Sequence, residues 1–213
     1  GHSNGGPANG AEGEGYRLSE TAAAAYGIVF NNGGTVSGDG GGATDLFNNS
    51  DAGSGHFITS GGRVGGAASG FVVFLDSASA NNATFTNNGG VANTAGGGQI
   101  IFINNSTAGS ATFVTNGGTV SGAFGGSIGF TDNSTAANGT FTTNGPTVAD
   151  ANSGGEVRSS QTATAGTGSF PINPATATGA PDATTASKTI STDSSRADTP
   201  HLFTKGGAAG SRG

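Results

Sequence analysis

The chain has 213 residues, of which 43 are glycine, and only 9% of its residues are charged. The absence of cysteine excludes disulfide-stapled folds and thiolate metal sites, and a net charge of −6 provides no basic surface for nucleic acid. No run approaches the roughly 18 apolar residues that a membrane-spanning helix needs. We therefore expect no nucleic-acid partner, no membrane span, no metal and no cofactor.

The first segment, residues 1–14, is rich in glycine and asparagine and shows no periodic apolar residue. Nothing in it predicts a buried face, so we expect a flexible N-terminal segment.

From residue 15 the sequence repeats every 28 residues, giving about five full coils to residue 154 and a degenerate sixth to about 170. The phrases ATFTNNGGV, ATFVTNGGTV and GTFTTNGPTV begin at Ala83, Ala111 and Gly139. Three apolar columns follow this spacing: Leu18, Leu46, Phe74, Phe102 and Phe130; Val29, Phe57, Phe85, Phe113 and Phe141; and Val36, Val64, Ala92, Val120 and Val148. After residue 154 the pattern slips by one residue, so that Phe170 follows Phe141 by 29.

Three apolar columns separated by glycine-rich corners predict three short strands per period. Helix is disfavoured because glycine recurs every few residues and each one costs about 1 kcal/mol in a helix. An invariant period is what stacked coils require, since each strand must lie about 4.8 Å above the previous one in register. We predict an all-β fold, a parallel β-solenoid (β-helix) of 28-residue coils, and the crossover rule predicts that it is right-handed.

The last segment, residues 171–213, is rich in Thr, Ala, Pro and Ser and carries four of the seven basic residues. Its composition fits a disordered low-complexity tail. It fits equally well a segment that packs on the solenoid and covers its last coil, because an open solenoid end needs cover. Both interpretations stay open.

Short motifs of the repeat resemble those of a known class of bacterial surface proteins. The motifs are GGQI at 97–100, GGSI at 125–128, FTNN at 85–88, FVTN at 113–116 and FTTN at 141–144. They are similar to the GGxI and FxxN repeats of polymorphic outer-membrane proteins and other autotransporter passengers. The resemblance covers roughly residues 27–155. It implies a right-handed β-helix and an extracellular or cell-surface protein with an adhesive or coat role.

The first candidate site is an outward apolar patch. If the Phe columns point inward, their neighbours along each strand point outward, and apolar residues stacked on successive coils mark an interface. The candidate residues are Phe47, Val73, Leu75, Ile101 and Ile103 on one strand, and Phe30, Ile58 and Val114 on another. Three interpretations stay open: cover by the C-terminal segment, a surface for self-association or another partner, or an error in assigning inside and outside.

The second candidate site is a ligand ladder of threonines. Its residues are Thr84, Thr86, Thr112, Thr140 and Thr142. A flat Thr-x-Thr array would fit an ice-binding surface, but Thr on an exposed strand is also ordinary β-propensity. His56 and Val114 interrupt the array, so we keep ice binding only as a minor alternative.

The other polar residues of the repeat favour a structural role over metal binding or catalysis. Asn48, Asp76, Asn104 and Asp132 form a column in which carboxylates are two rungs apart, roughly 10 Å. Calcium would need oxygens converging on one point. Between residues 15 and 170 the cations are Arg17, Arg63 and Arg158, and no catalytic constellation is visible.

These observations together predict a non-enzymatic extracellular structural or adhesive protein. Self-assembly into fibres by rung stacking or lateral apolar contacts is one expectation, and binding to surface glycans or proteins is another. The alternative function is a carbohydrate-binding or carbohydrate-cleaving β-helix module, which two or more carboxylates beside Arg63 in one groove would favour.

Overall fold

The computed structural model describes residues 1–6 and 12–187, and for residues 185–187 it describes the backbone alone. These residues form two parallel seven-stranded sheets that face each other. Sheet A contains β1 (His2–Ser3), β3 (Ile28–Asn31), β5 (His56–Thr59), β7 (Thr84–Asn87), β9 (Thr112–Thr115), β11 (Thr140–Asn144) and β13 (Ile172–Asn173). Sheet B contains β2 (Gly15–Leu18), β4 (Ala43–Leu46), β6 (Phe71–Phe74), β8 (Gln99–Phe102), β10 (Ser127–Phe130), β12 (Glu156–Ser159) and β14 (Thr184–Ser187).

The predicted parallel β-solenoid is confirmed. The chain alternates between the sheets, so each strand pairs with the strand one coil later, as Phe74 does with Phe102 and Phe85 with Phe113. The predicted one-residue slip is present, but it lies before residue 154 rather than after it, because Gly154 faces Gly125, 29 residues earlier. Ser127 likewise pairs with Glu156, 29 residues on, and the next step returns to 28. The one extra residue is absorbed in the corner before β12. The right-handed sense stays a prediction.

Three β segments per coil are present, but the third is not where the sequence places it. It is a column of single-residue parallel bridges that joins Ala23, Asp51, Ser79, Thr107, Thr135 and Thr164. The predicted third column instead lies in turns, where Val36 is 37% exposed and its equivalents are half-buried. These valines were misassigned because a β-branched residue beside a glycine-rich corner has the same local signature as a short strand.

The core lies between the two sheets and consists mainly of stacked phenylalanine rings. In sheet A, Phe85 stacks on Phe113 with centroids 4.7 Å apart, and in sheet B Phe74 stacks on Phe102 at 4.5 Å. The two stacks meet edge to face, for example Phe74 with Phe85 at 5.8 Å. These are the offset and T-shaped geometries that aromatic pairs prefer. Coil register therefore places identical rings on one another, which is why the period is so strict.

One corner of every coil turns through a left-handed residue and is held by side-chain hydrogen bonds between coils. Asn48, Asp76, Asn104 and Asp132 all have φ between 54° and 59°. The backbone N–H of Asn48 donates to Asp76 Oδ2 at 3.1 Å, and that of Asn104 donates to Asp132 Oδ2 at 3.1 Å. The column therefore has the structural role that its sequence predicts, and the alternation keeps like charges apart.

Coil stacking extends past the predicted boundaries of 15 and 170 at both ends. His2–Ser3 pairs with β3, although residues 1–14 were expected to be a flexible segment. β13 and β14 continue the two sheets to residue 187, within the predicted tail. The rest of that tail, residues 188–213, lies outside the described residues.

Candidate functional site

The outer face of sheet B carries an apolar patch on three successive coils, here called the sheet B patch. It contains Phe47, Phe71, Val73, Leu75, Ile101 and Ile103, all of them half-buried. Strand alternation places them outward, because their neighbours Leu46, Phe74 and Phe102 are 0% exposed in the core. Five of the six are the sequence-predicted interface residues of this strand.

Phe71 is the member of the patch that the sequence interpretation missed. It pairs in register with Ala43 and Gln99, one rung to either side, and lies two residues before Val73 on the outward side of the strand. The period-2 alternation of FVVF would have identified it. Its ring widens the apolar surface at the start of the strand.

Ion pairs lie beyond the sheet B patch in both directions along the solenoid axis. On one side Arg17 Nε lies 3.6 Å from Asp45 Oδ2, and its guanidinium lies 5.9 Å from the centre of the Phe47 ring. On the other side come Gly129 and then the ion pair of Glu156 with Arg158. An apolar centre with a polar rim is the layout of an interface.

Burial against the patch raises the pKa of the Asp45 carboxyl above its ordinary value of 3.8, and the nearby Arg17 acts in the opposite direction. Since the folded chain then holds the Asp45 proton more tightly than the unfolded chain does, stability falls as the pH rises through this raised pKa. We expect Asp45→Asn to be more stable than the parent chain at neutral pH. The difference should shrink below pH 3.8, where both states are protonated.

Urea unfolding of both chains at pH 7 and pH 3 measures this difference. Asp150→Asn, at an exposed corner, is the matched control and should show no gain. A loss of stability in Asp45→Asn at pH 7 would show instead that the pair with Arg17 outweighs the cost of burial.

Two candidate sites that the sequence interpretation treated separately lie side by side on the outer face of sheet A. Thr84, Thr112 and Thr140 are stacked in one column. The next outward column contains the other candidates in the order Phe30, Ile58, Thr86, Val114 and Thr142. The threonine ladder and the second apolar group are thus one mixed face, on the opposite side of the solenoid from the sheet B patch.

His56 interrupts the threonine column, and its Nε2 lies 3.3 Å from Thr86 Oγ1. Ile28 continues the same column and is 51% exposed. The regular Thr-x-Thr array is therefore confined to the coils of β7 and β11, with Val114 between them. Ice binding stays an untested prediction.

Arg63 lies in an open groove beside the ends of the sheet A strands, lined among the described residues also by asparagine, serine, glycine, threonine, proline and valine. No described Asp or Glu lines it. The described lining residues therefore do not place carboxylates beside Arg63, which is the arrangement that would favour carbohydrate cleavage. Across residues 1–6 and 12–187, no three His, Asp or Glu side chains come together as a metal site would require.

Comparisons with protein-family models, with curated proteins and with solved structures found no match. Among the described residues, no helix is long and apolar enough to cross a membrane.

Proposed function

We propose that this protein is a non-enzymatic β-solenoid scaffold of the cell surface or extracellular space, and that copies of it associate side by side through the sheet B patch. The observation that supports it is the set of six apolar side chains on the outer face of a regular sheet. An exposed sheet face is ordinarily polar, and a contiguous apolar patch with a polar rim is typical of a protein interface.

The shape of the patch favours a second copy of the chain as the partner. Its surface is flat, because it is built from strands in register, and two flat sheets pack face to face about 10 Å apart. Every copy of the chain carries this patch, so two copies can bring identical surfaces together. An isologous contact of this kind closes into a dimer.

The size of the patch predicts weak association. Three coils about 4.8 Å apart, each with about five residues along the strand, cover roughly 200–250 Å². A standard interface buries about 800 Å² per partner, so the polar rim must contribute and we expect a Kd in roughly the micromolar range or weaker.

The extracellular assignment is supported by the GGxI and FxxN motifs and their similarity to surface β-helix repeats. The motifs occupy corners and core strands of the solenoid: Ile100 and Ile128 are buried in sheet B, and Phe85, Phe113 and Phe141 are buried in sheet A. A stiff rod of stacked coils suits a coat or adhesive role.

Sedimentation velocity over a wide concentration range tests the self-association. The double variant Val73→Thr, Ile101→Thr keeps β-branched residues in the strands but makes the centre of the patch polar. We expect the parent chain to dimerise with increasing concentration and the double variant to remain monomeric.

Ile58→Thr makes the same kind of change on the opposite face and is the matched control, so it should dimerise like the parent. A parent chain that stays monomeric throughout, or a double variant that dimerises as strongly as the parent, would overturn the proposal.

A further inference from the structure

A long open groove runs parallel to the solenoid axis beside the ends of the sheet A strands, on different residues from the sheet B patch. Its volume is ≈ 660 Å³. Glycines lie along its floor, including Gly61, Gly89 and Gly117, which are buried. One wall is a column of polar side chains, one from each coil: Asn32, Ser60, Asn88, Asn116, Asn144 and Asn173.

The asparagines of this wall form a hydrogen-bonded ladder. Asn116 Nδ2 donates to Asn88 Oδ1 at 3.0 Å, Asn144 Nδ2 donates to Asn116 Oδ1 at 2.7 Å, and Asn173 Nδ2 donates to Asn144 Oδ1 at 2.7 Å. An asparagine amide has two N–H donors and an oxygen with two lone pairs. The ladder uses one donor and one lone pair of Asn116, so one donor and one acceptor remain at that rung.

The groove therefore presents a hydrogen-bond donor and acceptor at intervals of one rung, about 4.8 Å. Val91 and Pro174 add exposed apolar atoms to the lining of the groove. Val91 is 49% exposed. The groove thus combines fixed amides with small apolar surfaces along one straight line.

The few charges on the residues that line the groove limit the class of ligand that it can bind. Arg63 is the charged side chain among the described lining residues, although the whole chain has a net charge of −6. Nucleic acid would require several cations along its phosphates. An extended peptide repeats its side-chain directions every two residues, about 6.8 Å, which does not match a rung of about 4.8 Å.

We propose that this groove binds a neutral polysaccharide chain lying parallel to the solenoid axis. A pyranose unit is about as long as one rung, and its hydroxyl groups both donate and accept, as the free positions of the ladder require. The C–H faces of the sugar rings pack on Val91 and Pro174, which are exposed.

Isothermal titration calorimetry with cellohexaose, xylohexaose, mannohexaose and chitohexaose tests this assignment. We expect the parent chain to bind at least one of these neutral hexasaccharides with a Kd that is roughly millimolar or tighter. Asn116→Leu, which removes the amide at nearly constant volume, should weaken that binding at least tenfold. Asn88→Leu makes the same change one rung away and gives a second reading if Asn116→Leu does not fold.

Asn105→Leu is the matched control, because Asn105 is exposed at a different corner, and it should bind like the parent. The proposal is overturned if none of the four hexasaccharides binds the parent chain, or if both groove variants fold and bind as tightly as the parent. The variant Val73→Thr, Ile101→Thr lies on sheet B and should keep full binding, so this test is independent of self-association.

Discussion

Gly97→Ala is expected to lower the free energy of unfolding by about 3 kcal/mol, the upper end of the usual range for overpacking, or to prevent folding altogether. A Cβ at this position would lie well under 3.0 Å from the carbonyl oxygen and carbon of Gly125 in the next coil. Both neighbours are backbone atoms whose position is fixed by the ladder, so neither can move without opening the stack. The glycine is needed here because the coils approach so closely.

Gly96→Ala is the control, since a Cβ added there would have no atom within 4 Å. We expect a change between zero and a gain of about 1 kcal/mol, because alanine reduces the freedom of the unfolded chain. Guanidinium unfolding of both variants measures the contrast. Equal stabilities would show that the coils around Gly97 are not stacked at the distance described.

Phe102→Ala is expected to cost about 3–5 kcal/mol, the usual range for a large aromatic removed from a core. Its ring is 0% exposed and lies between Phe74 at 4.5 Å and Phe130 at 4.6 Å, with Phe113 edge-on at 6.0 Å. Truncation therefore interrupts one ring stack and removes its contact with the other.

Ile103→Ala, the next residue, tests the assignment of inside and outside. Ile103 is half-buried on the outer face, so we expect a cost of less than about 1 kcal/mol in the monomer. Urea unfolding at a concentration where the chain is monomeric compares the two variants. A larger loss for Ile103→Ala than for Phe102→Ala would reverse the assignment of the two faces of sheet B.

Much of this fold could be predicted because its main determinant is a period, and a period is visible in one sequence. The Phe columns identify the two sheets, and alternation then assigns each neighbour to the core or the surface. The prediction of a strand at the valine column was wrong because Val36 and its equivalents follow the same period without forming a strand. Periodicity shows that positions are equivalent between coils, but it does not show what conformation they share.

The candidate sites were less predictable because they depend on which columns adjoin in space. Thr86 and Ile58 proved to be neighbours in one column, although their residue types suggested different sites. The asparagine ladder of the groove escaped notice because Asn88 and Asn116 lie in the Asn-Gly-Gly phrase, which is also the ordinary signature of a turn. The corner column of left-handed residues also includes Glu20 and Gln161. Their side chains are longer than those of Asn and Asp, so the sequence did not show that they occupy the same position in the coil.

The most direct test of the central claim, side-by-side association through sheet B, uses a single spin label. The chain has no cysteine, and a side chain at Gly129 would meet no atom within 4 Å, so Gly129→Cys introduces one label at the edge of the sheet B patch. Thr112→Cys places the same label on the exposed face of sheet A. Double electron–electron resonance at dimerising concentrations should give a short distance between chains for Gly129→Cys and a longer one for Thr112→Cys. A short distance for Thr112→Cys alone, or none for either, would contradict association through sheet B.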